Sequence, residues 1–165
     1  MKITVVGDFG IDIYENLAIT KPGGIAFNFA YHFSQDNTDS KISLVAALGD
    51  DKNGKILKKL ARSLSLNITN IQTLKGLTPL QKIKLVNGER NFTGYTAGVL
   101  KKWKLDKEDL DFLAKQDVIF IPLSDGMEHI FNKIKNLKTK AIKIVDFSQD
   151  YEFADFDNEE NVITK

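Results

Sequence analysis

The chain has no cysteine, only three prolines, two histidines and a single tryptophan in 165 residues. Without thiols there is no disulfide, no thiolate metal site and no cysteine nucleophile, and nothing in the count argues for secretion. Charge of one sign is also missing, because 23 Lys+Arg stand against 22 Asp+Glu, for a net charge of +1. That balance leaves no surplus to bind a polyanion, so nucleic acid is not an expected partner. No membrane partner is expected either: the opening apolar run reaches Gly7 and Asp8 too early for a signal peptide or a span. The cytoplasm is the expected compartment. No internal repeat, low-complexity run or Pro/Gly/Ser linker breaks the chain. What is present is globular, 42% apolar and 27% charged, at a length suited to one domain with its own core.

Short β-branched runs at Lys2 to Gly7, Ser43 to Leu48, Val118 to Leu123 and Ala141 to Val145 read as buried strands. Between them, Ile25 to Phe33, Gly54 to Leu66, Lys107 to Lys115 and Gly126 to Leu137 read as helices, the last with a capping box of Asp125 and Glu128. Strands alternating with helices predict a parallel sheet covered on both faces. One segment departs from this order: Leu80 to Val86, Asn87-Gly88, then Glu89 to Tyr95 carries a strong hairpin signal. Leu80, Lys82, Lys84 and Val86 fall on one face and Gln81, Ile83 and Leu85 on the other. Neither face is cleanly polar, so a partner surface is expected over one of them, with the ribbon acting as a lid or a dimer contact. The acidic stretch Asp150 to Glu160 reads as a solvated face or helix start, and Val162 to Lys165 as the approach to a further strand.

Asp8-Phe9-Gly10 spells the magnesium-holding triplet of protein kinases, but only seven residues precede it, and that chemistry needs a phosphate loop, a strand lysine and a catalytic loop upstream. The triplet is a coincidence of letters. Asp8 and Asp12 do lie just beyond the first strand, where parallel sheets bind ligands. A carboxylate there can accept hydrogen bonds from sugar hydroxyls, or can simply satisfy turn N–H groups. Pro22-Gly23-Gly24 feeds a helix and offers bare backbone N–H groups, with Asn28 in the first turn; the plain alternative is a helix entry. It is neither a Walker loop nor a dinucleotide GxGxxG. His32, among Phe27, Phe29, Tyr31 and Phe33, reads as a core or boundary histidine, His129 as surface, and Trp103 as a packed anchor despite its lysine neighbours. No metal-ligand spacing is present.

Taken in order, Gly7 to Tyr14, Pro22 to Asn28, Leu48 to Gly54, Arg90 to Val99 and Val145-Asp146-Phe147-Ser148 resemble the ribokinase-like (PfkB) carbohydrate kinases nearly end to end. The resemblance implies a partial ribokinase-like three-layer α/β fold over residues 1–165 with a protruding β-hairpin lid near 78–96. It implies that Asp12 binds sugar hydroxyls, that Gly23, Gly24 and Asn28 close around the sugar, and that Arg90 pairs with a carboxylate or hydroxyls of a glycated amino acid. Arg90 can equally be a solvated hairpin arginine, and Tyr95 is read as an anchor of the lid. The commoner family turn is GGKGAN; here Ile25 replaces Lys and Ala26 the third Gly, which disfavours ribose and fits the fructosamine branch.

The same resemblance implies ATP and Mg2+ as cofactors of a full-length enzyme and a GAGD-type aspartate as catalytic base. No Gly-Ala-Gly-Asp occurs in the chain. The expectation is therefore an amino-terminal sugar half that binds no cofactor alone, is inactive alone, and has its base beyond residue 165, with homodimerisation through the hairpin open. Two other readings stand beside it: a non-catalytic sugar-binding or dimerising α/β module, and a flavodoxin-like nucleotide domain, which the hairpin and the missing phosphate loop disfavour.

Overall fold

The computed structural model describes residues 1–36, 41–64, 66–124 and 126–147. In chain order the elements are β1 (Lys2–Val6), β2 (Gly10–Tyr14), β3 (Ile19–Gly23), α1 (Ile25–Asp36), β4 (Lys41–Gly49), α2 (Lys52–Ser63), β5 (Ile71–Leu74), β6 (Leu80–Val86) and β7 (Glu89–Thr96). A 3-10 turn at Gly98–Lys102 follows, then α3 (Lys107–Leu113), β8 (Val118–Pro122), α4 (Glu128–Lys135) and β9 (Ile142–Asp146).

Five strands form a parallel sheet in the order β5-β4-β1-β8-β9. Adjacent residues on its strands point to opposite faces, which sorts the core into two clusters. Val5, Leu44, Ala46 and Phe120 pack with Phe27, Ala30, Leu57 and Ala61 of α1 and α2 on one side. Val6, Val45, Ala47, Ile119 and Ile121 pack with Trp103, Leu113, Ile130 and Ile134 on the other. Both faces are covered, as the unbroken apolar runs predict. Trp103 is fully buried, so the lysines around it frame a core anchor.

The hairpin forms as predicted, with Asn87 and Gly88 at φ of 53° and 84°, the left-handed pair that matches strand twist in a two-residue turn. It does not stand alone. β2 pairs in parallel with β6 and antiparallel with β3, giving a second sheet in the order β3-β2-β6-β7. Sequence reading assigned no strand between Gly10 and Gly23: Ile11, Ile13 and Tyr14 of β2 carry only a short β-prone alternation, and Lys21, Pro22 and Gly23 weaken the pattern of β3. β5 was missed for its length of four residues.

Several boundaries also differ. Helix α2 starts at Lys52 because Asp51 caps it, its side chain accepting from the Gly54 amide at 2.8 Å. The capping box expected at Asp125 and Glu128 is not the one present: α4 is preceded by Met127 without a side-chain cap, Glu128 accepts weakly from Gly126 at 3.3 Å, and Asp125 lies outside the described residues. A capping box does form on α3, between Asp106 and Asp109. Helix α1 turns Ile25, Asn28, His32 and Gln35 outward, so His32 is exposed rather than core, edge-on to Tyr31 at 5.1 Å. His129 is exposed and its Nε2 lies 2.6 Å from the Trp103 carbonyl. The acidic stretch, Ser148 and the last four residues lie outside the described residues. Among the described residues no helix is long and apolar enough to cross a membrane.

Candidate functional site

Immediately after β1, the Asp8 carboxylate accepts hydrogen bonds from the Ile25 and Ala26 amides, each at 3.0 Å. Its carbonyl accepts from the Phe27 amide at 3.3 Å, and Phe9 stacks on Phe27 with centroids 4.4 Å apart. A residue far away in sequence thus caps α1 with negative charge, where the free N–H groups and the helix dipole favour it. Asp8 does the structural work of holding the start of α1 over the carboxyl end of β1. Burial pushes its carboxyl above the usual range, while the Ala26 and Ile25 amides pull the other way.

The chain then lifts into β2, which carries Asp12. Gly23, at the end of β3, lies against the Asp12 carboxylate so closely that a Cβ would collide with Oδ1 and Cγ. Gly24 follows at φ +104°, with its missing Cβ position 2.5 Å from the Asp8 carbonyl, a conformation and an approach that only glycine tolerates. The two glycines do different things: Gly23 makes room for the Asp12 carboxylate, and Gly24 makes the turn into α1.

Asp12, Gly24, Asn28 and Arg90 all line one open cleft of about 310 Å³ at the carboxyl ends of β1 and β8. Gly23 sits behind Asp12 rather than on the cleft surface. Asp12 is half-buried, and burial raises its carboxyl; the Arg90 guanidinium opposes that rise, and the Asp8 charge adds to it. Arg90 is exposed on β7.

The second sheet decides which hairpin residues face the cleft. Asp12 pairs with Gln81 and Gln81 with Tyr95, so the three lie in one row across β2, β6 and β7. Phe92 and Arg90 sit opposite Ile83 and Leu85 on the same face. A register shift between Lys82 and Ile83 inserts one extra β7 residue, which brings Tyr95 onto the face of Phe92 and Arg90 where strict alternation would bring Gly94. Gln81 is held by its amide donating to the Gly94 carbonyl at 2.8 Å.

Sequence reasoning did not single out Gln81, Phe92 or Ser124 as cleft residues. Strand alternation held the signal for Gln81 and Phe92, but not which face the cleft would occupy. Ser124, just past β8, lines the cleft with its hydroxyl buried and without a hydrogen-bond partner among the described residues; no sequence signal marks it. A second, more open depression of about 410 Å³ adjoins across Ile25 and Asn28, along Phe29, His32 and Phe120. Chemically, the cleft lining offers the carboxylates of Asp8 and Asp12, the amides of Asn28 and Gln81, the Ser124 hydroxyl, the Arg90 guanidinium and the rings of Phe92 and Tyr95. That set fits a polyhydroxylated ligand carrying a further acidic or apolar group.

The fold is that of the ribokinase-like sugar kinases. The chain superposes on ribokinase from Giardia lamblia with a TM-score of 0.78 at 18% identity, covering 94% of this chain and 54% of that one. It superposes on an uncharacterized sugar kinase from Pyrococcus horikoshii with a TM-score of 0.74 at 17% identity, covering 91% and 56%. Arabidopsis thaliana ribokinase, solved with ribose and ATP, gives 0.69 at 17% identity, covering 89% and 53%. In sequence, 132 residues are 27% identical to fructoselysine 6-kinase from Escherichia coli, covering 80% of this chain and 50% of the enzyme. The enzyme of that name from Shigella flexneri matches to the same extent. No family profile matches the chain. The likenesses are to sugar kinases in fold and, more distantly, in sequence, and the chain spans about half the length of the curated relatives it matches.

Proposed function

We propose that this chain is the sugar-binding part of an ATP-dependent carbohydrate kinase whose substrate is fructoselysine or a related fructosamine. The observation that carries the reading is the meeting of Asp12, Gly24, Asn28 and Arg90 on one cleft, in a fold shared with ribokinases. In this reading the ionised Asp12 accepts hydrogen bonds from two ligand hydroxyls, while the Asn28 amide donates to and accepts from a third. Gly23 keeps the Asp12 carboxylate in place, Gly24 lets the backbone approach the sugar, and Arg90 pairs with the carboxylate of the amino-acid portion. In this reading the hairpin acts as a lid over the cleft, and a homodimer would form through the same hairpin.

Phosphoryl transfer would move the γ-phosphorus of ATP onto a sugar oxygen, release ADP and pass the hydroxyl proton to a base. ATP and Mg2+ supply the phosphate and its charge neutralisation. The cleft residues bind and orient the acceptor, and the ATP site and base are assigned to a part of the protein beyond residue 165. In this reading ADP formation is not expected of the chain alone.

The test is a thermal-shift titration of the purified chain with fructoselysine, fructose, ribose and ATP, because a ligand that binds only the native state raises the melting temperature. A shift with fructoselysine that disappears in Asp12→Ala supports the reading. ADP formation by the pure chain that Asp12→Ala abolishes would overturn its assignment as a half-site. In the same assay Arg90→Ala should weaken fructoselysine more than fructose; equal losses would remove Arg90 from recognition of the amino acid.

A further inference from the structure

We infer that Phe92 and Tyr95 of β7, with Ile25 at the start of α1, form a subsite for the aliphatic spacer of a glycated amino acid, so that the ligand class is a ketosamine whose amine carries several methylenes before its carboxylate. The inference rests on the sugar-kinase reading and refines it.

Single exposed apolar residues need no explanation. Here three converge on one cleft: Phe92 is 66% exposed, Tyr95 38% and Ile25 37%. The polar groups a sugar requires are supplied by other residues of the same cleft, Asp12, Asn28 and the Ser124 hydroxyl, which has no hydrogen-bond partner among the described residues. A bare hexose, hydroxylated all round, leaves such a wall wet and unmatched. The bulge in β7 is what builds it, because without the extra residue Gly94 would stand where Tyr95 does.

Along β7 the order is also informative. Tyr95, Phe92 and Arg90 stand opposite Gln81, Ile83 and Leu85, steps of about 7 Å on one face of the strand. By backbone position, starting from the Asp12 row, the residues run polar, then apolar, then cationic, and the Arg90 side chain is long enough for its charge to be felt at Asp12 as well. A ligand that is a polyol, then an alkyl chain, then a carboxylate has the same order. Arg90 supplies the charge for the last element, as a planar fork that suits a carboxylate.

Each methylene that the wall covers fully is worth up to about fourfold in affinity. For a spacer of four methylenes on an open wall, an overall gain of about tenfold is expected. The experiment is calorimetric titration of the purified chain with fructose, fructoseglycine, fructoselysine and 1-deoxy-1-hexylaminofructose, on wild type, Phe92→Ser, Asp12→Asn and Leu77→Ser. Leu77 is 63% exposed but outside the cleft, and controls for loss of any exposed apolar group.

The expected result is fructoselysine about tenfold tighter than fructoseglycine, with the hexylamine derivative keeping the spacer gain. Phe92→Ser should remove most of that gain while fructose changes by less than about twofold, and Leu77→Ser should change neither. Equal affinity for the glycine and lysine derivatives would overturn the inference and leave the sugar reading intact, provided that Asp12→Asn weakens both. Binding of none of the four would overturn both. If Phe92→Ser converts a dimer to a monomer in sedimentation and the spacer gain survives, the wall is a contact between copies and the inference fails.

Discussion

Replacing Gly23 with alanine should damage ligand binding far more than stability, through a single displaced carboxylate. The backbone at Gly23 is not in the left-handed region, so alanine meets no intrinsic strain there; it meets the Asp12 carboxylate, with Oδ2 at 2.7 Å and Oδ1 and Cγ closer still. Those atoms end a short side chain that can rotate, so the fold yields by turning Asp12 off its position, at about 0.5–1.5 kcal/mol for a non-ideal rotamer. For a chain of this length that is a melting shift of about 2–5 °C. The ligand loses hydrogen bonds to a charged group, each worth about 1.5–3 kcal/mol, or roughly 10- to 150-fold in affinity. The assay pairs thermal melts with calorimetric titration of fructoselysine in a cycle of Gly23→Ala, Asp12→Ala and the double variant. If the methyl acts through Asp12, adding Gly23→Ala to Asp12→Ala should cost almost nothing in either measurement, because the colliding atoms are gone. Additive losses in the double variant would refute the reasoning, as would a Gly23→Ala protein that binds like wild type.

Other outcomes follow from the same geometry. Asp8→Ala removes both side-chain acceptors of the Ile25 and Ala26 amides and should destabilise by about 1–2 kcal/mol, Asp8→Asn by less; urea unfolding followed by the buried Trp103 fluorescence checks this. Binding of fructoselysine should weaken on acidification at a pH above the ordinary aspartate value of 3.8, because burial raises Asp12 and the ionised form is the acceptor. Arg90→Ala, by removing the charge that opposes the rise, should move the fall-off to still higher pH, and affinity that is flat down to pH 4 would contradict both statements. Asp51 behaves in the opposite sense. Burial works to raise it, but the Thr78 hydroxyl, the Gly54 amide and the Thr78 amide outweigh that and leave its carboxyl lowered. Its contribution is therefore fully present above the unfolded value of 3.8 and is lost as pH falls through the lower folded value. Asp51→Ala should cost about 1–2 kcal/mol at pH 7 and progressively less below pH 4, measured by urea melts across pH.

The parts legible in the sequence were those whose signal is local. The apolar runs of β1, β4 and β8 announce buried strands, the run at β9 announces a strand that the sheet edge leaves only partly buried, and Asn87-Gly88 announces its turn by supplying two left-handed residues. Pairings between distant segments were not legible. Within Gly10 to Gly23 only Ile11, Ile13 and Tyr14 carry a strand signal, too short to stand out, whereas β3 with its Lys21-Pro22-Gly23 depends on its pairing with β2. For Asp8 the plain reading, a carboxylate that satisfies N–H groups, was open from the sequence, but its target was not: a helix cap is sought one residue before the helix, and this one comes from just past β1.

For the site, Asp12, Gly23, Gly24, Asn28 and Arg90 were put forward by the resemblance of ordered local motifs to the sugar kinases, and all of them but Gly23 line the cleft. The bulge that sets which β7 residues face Asp12, the collision course between Gly23 and that carboxylate, and the unpartnered hydroxyl of Ser124 were decided only in three dimensions. Periodicity in a chain fixes which residues share a face of an element, whereas the neighbour that each face meets depends on contacts between segments far apart in sequence, which no local pattern encodes.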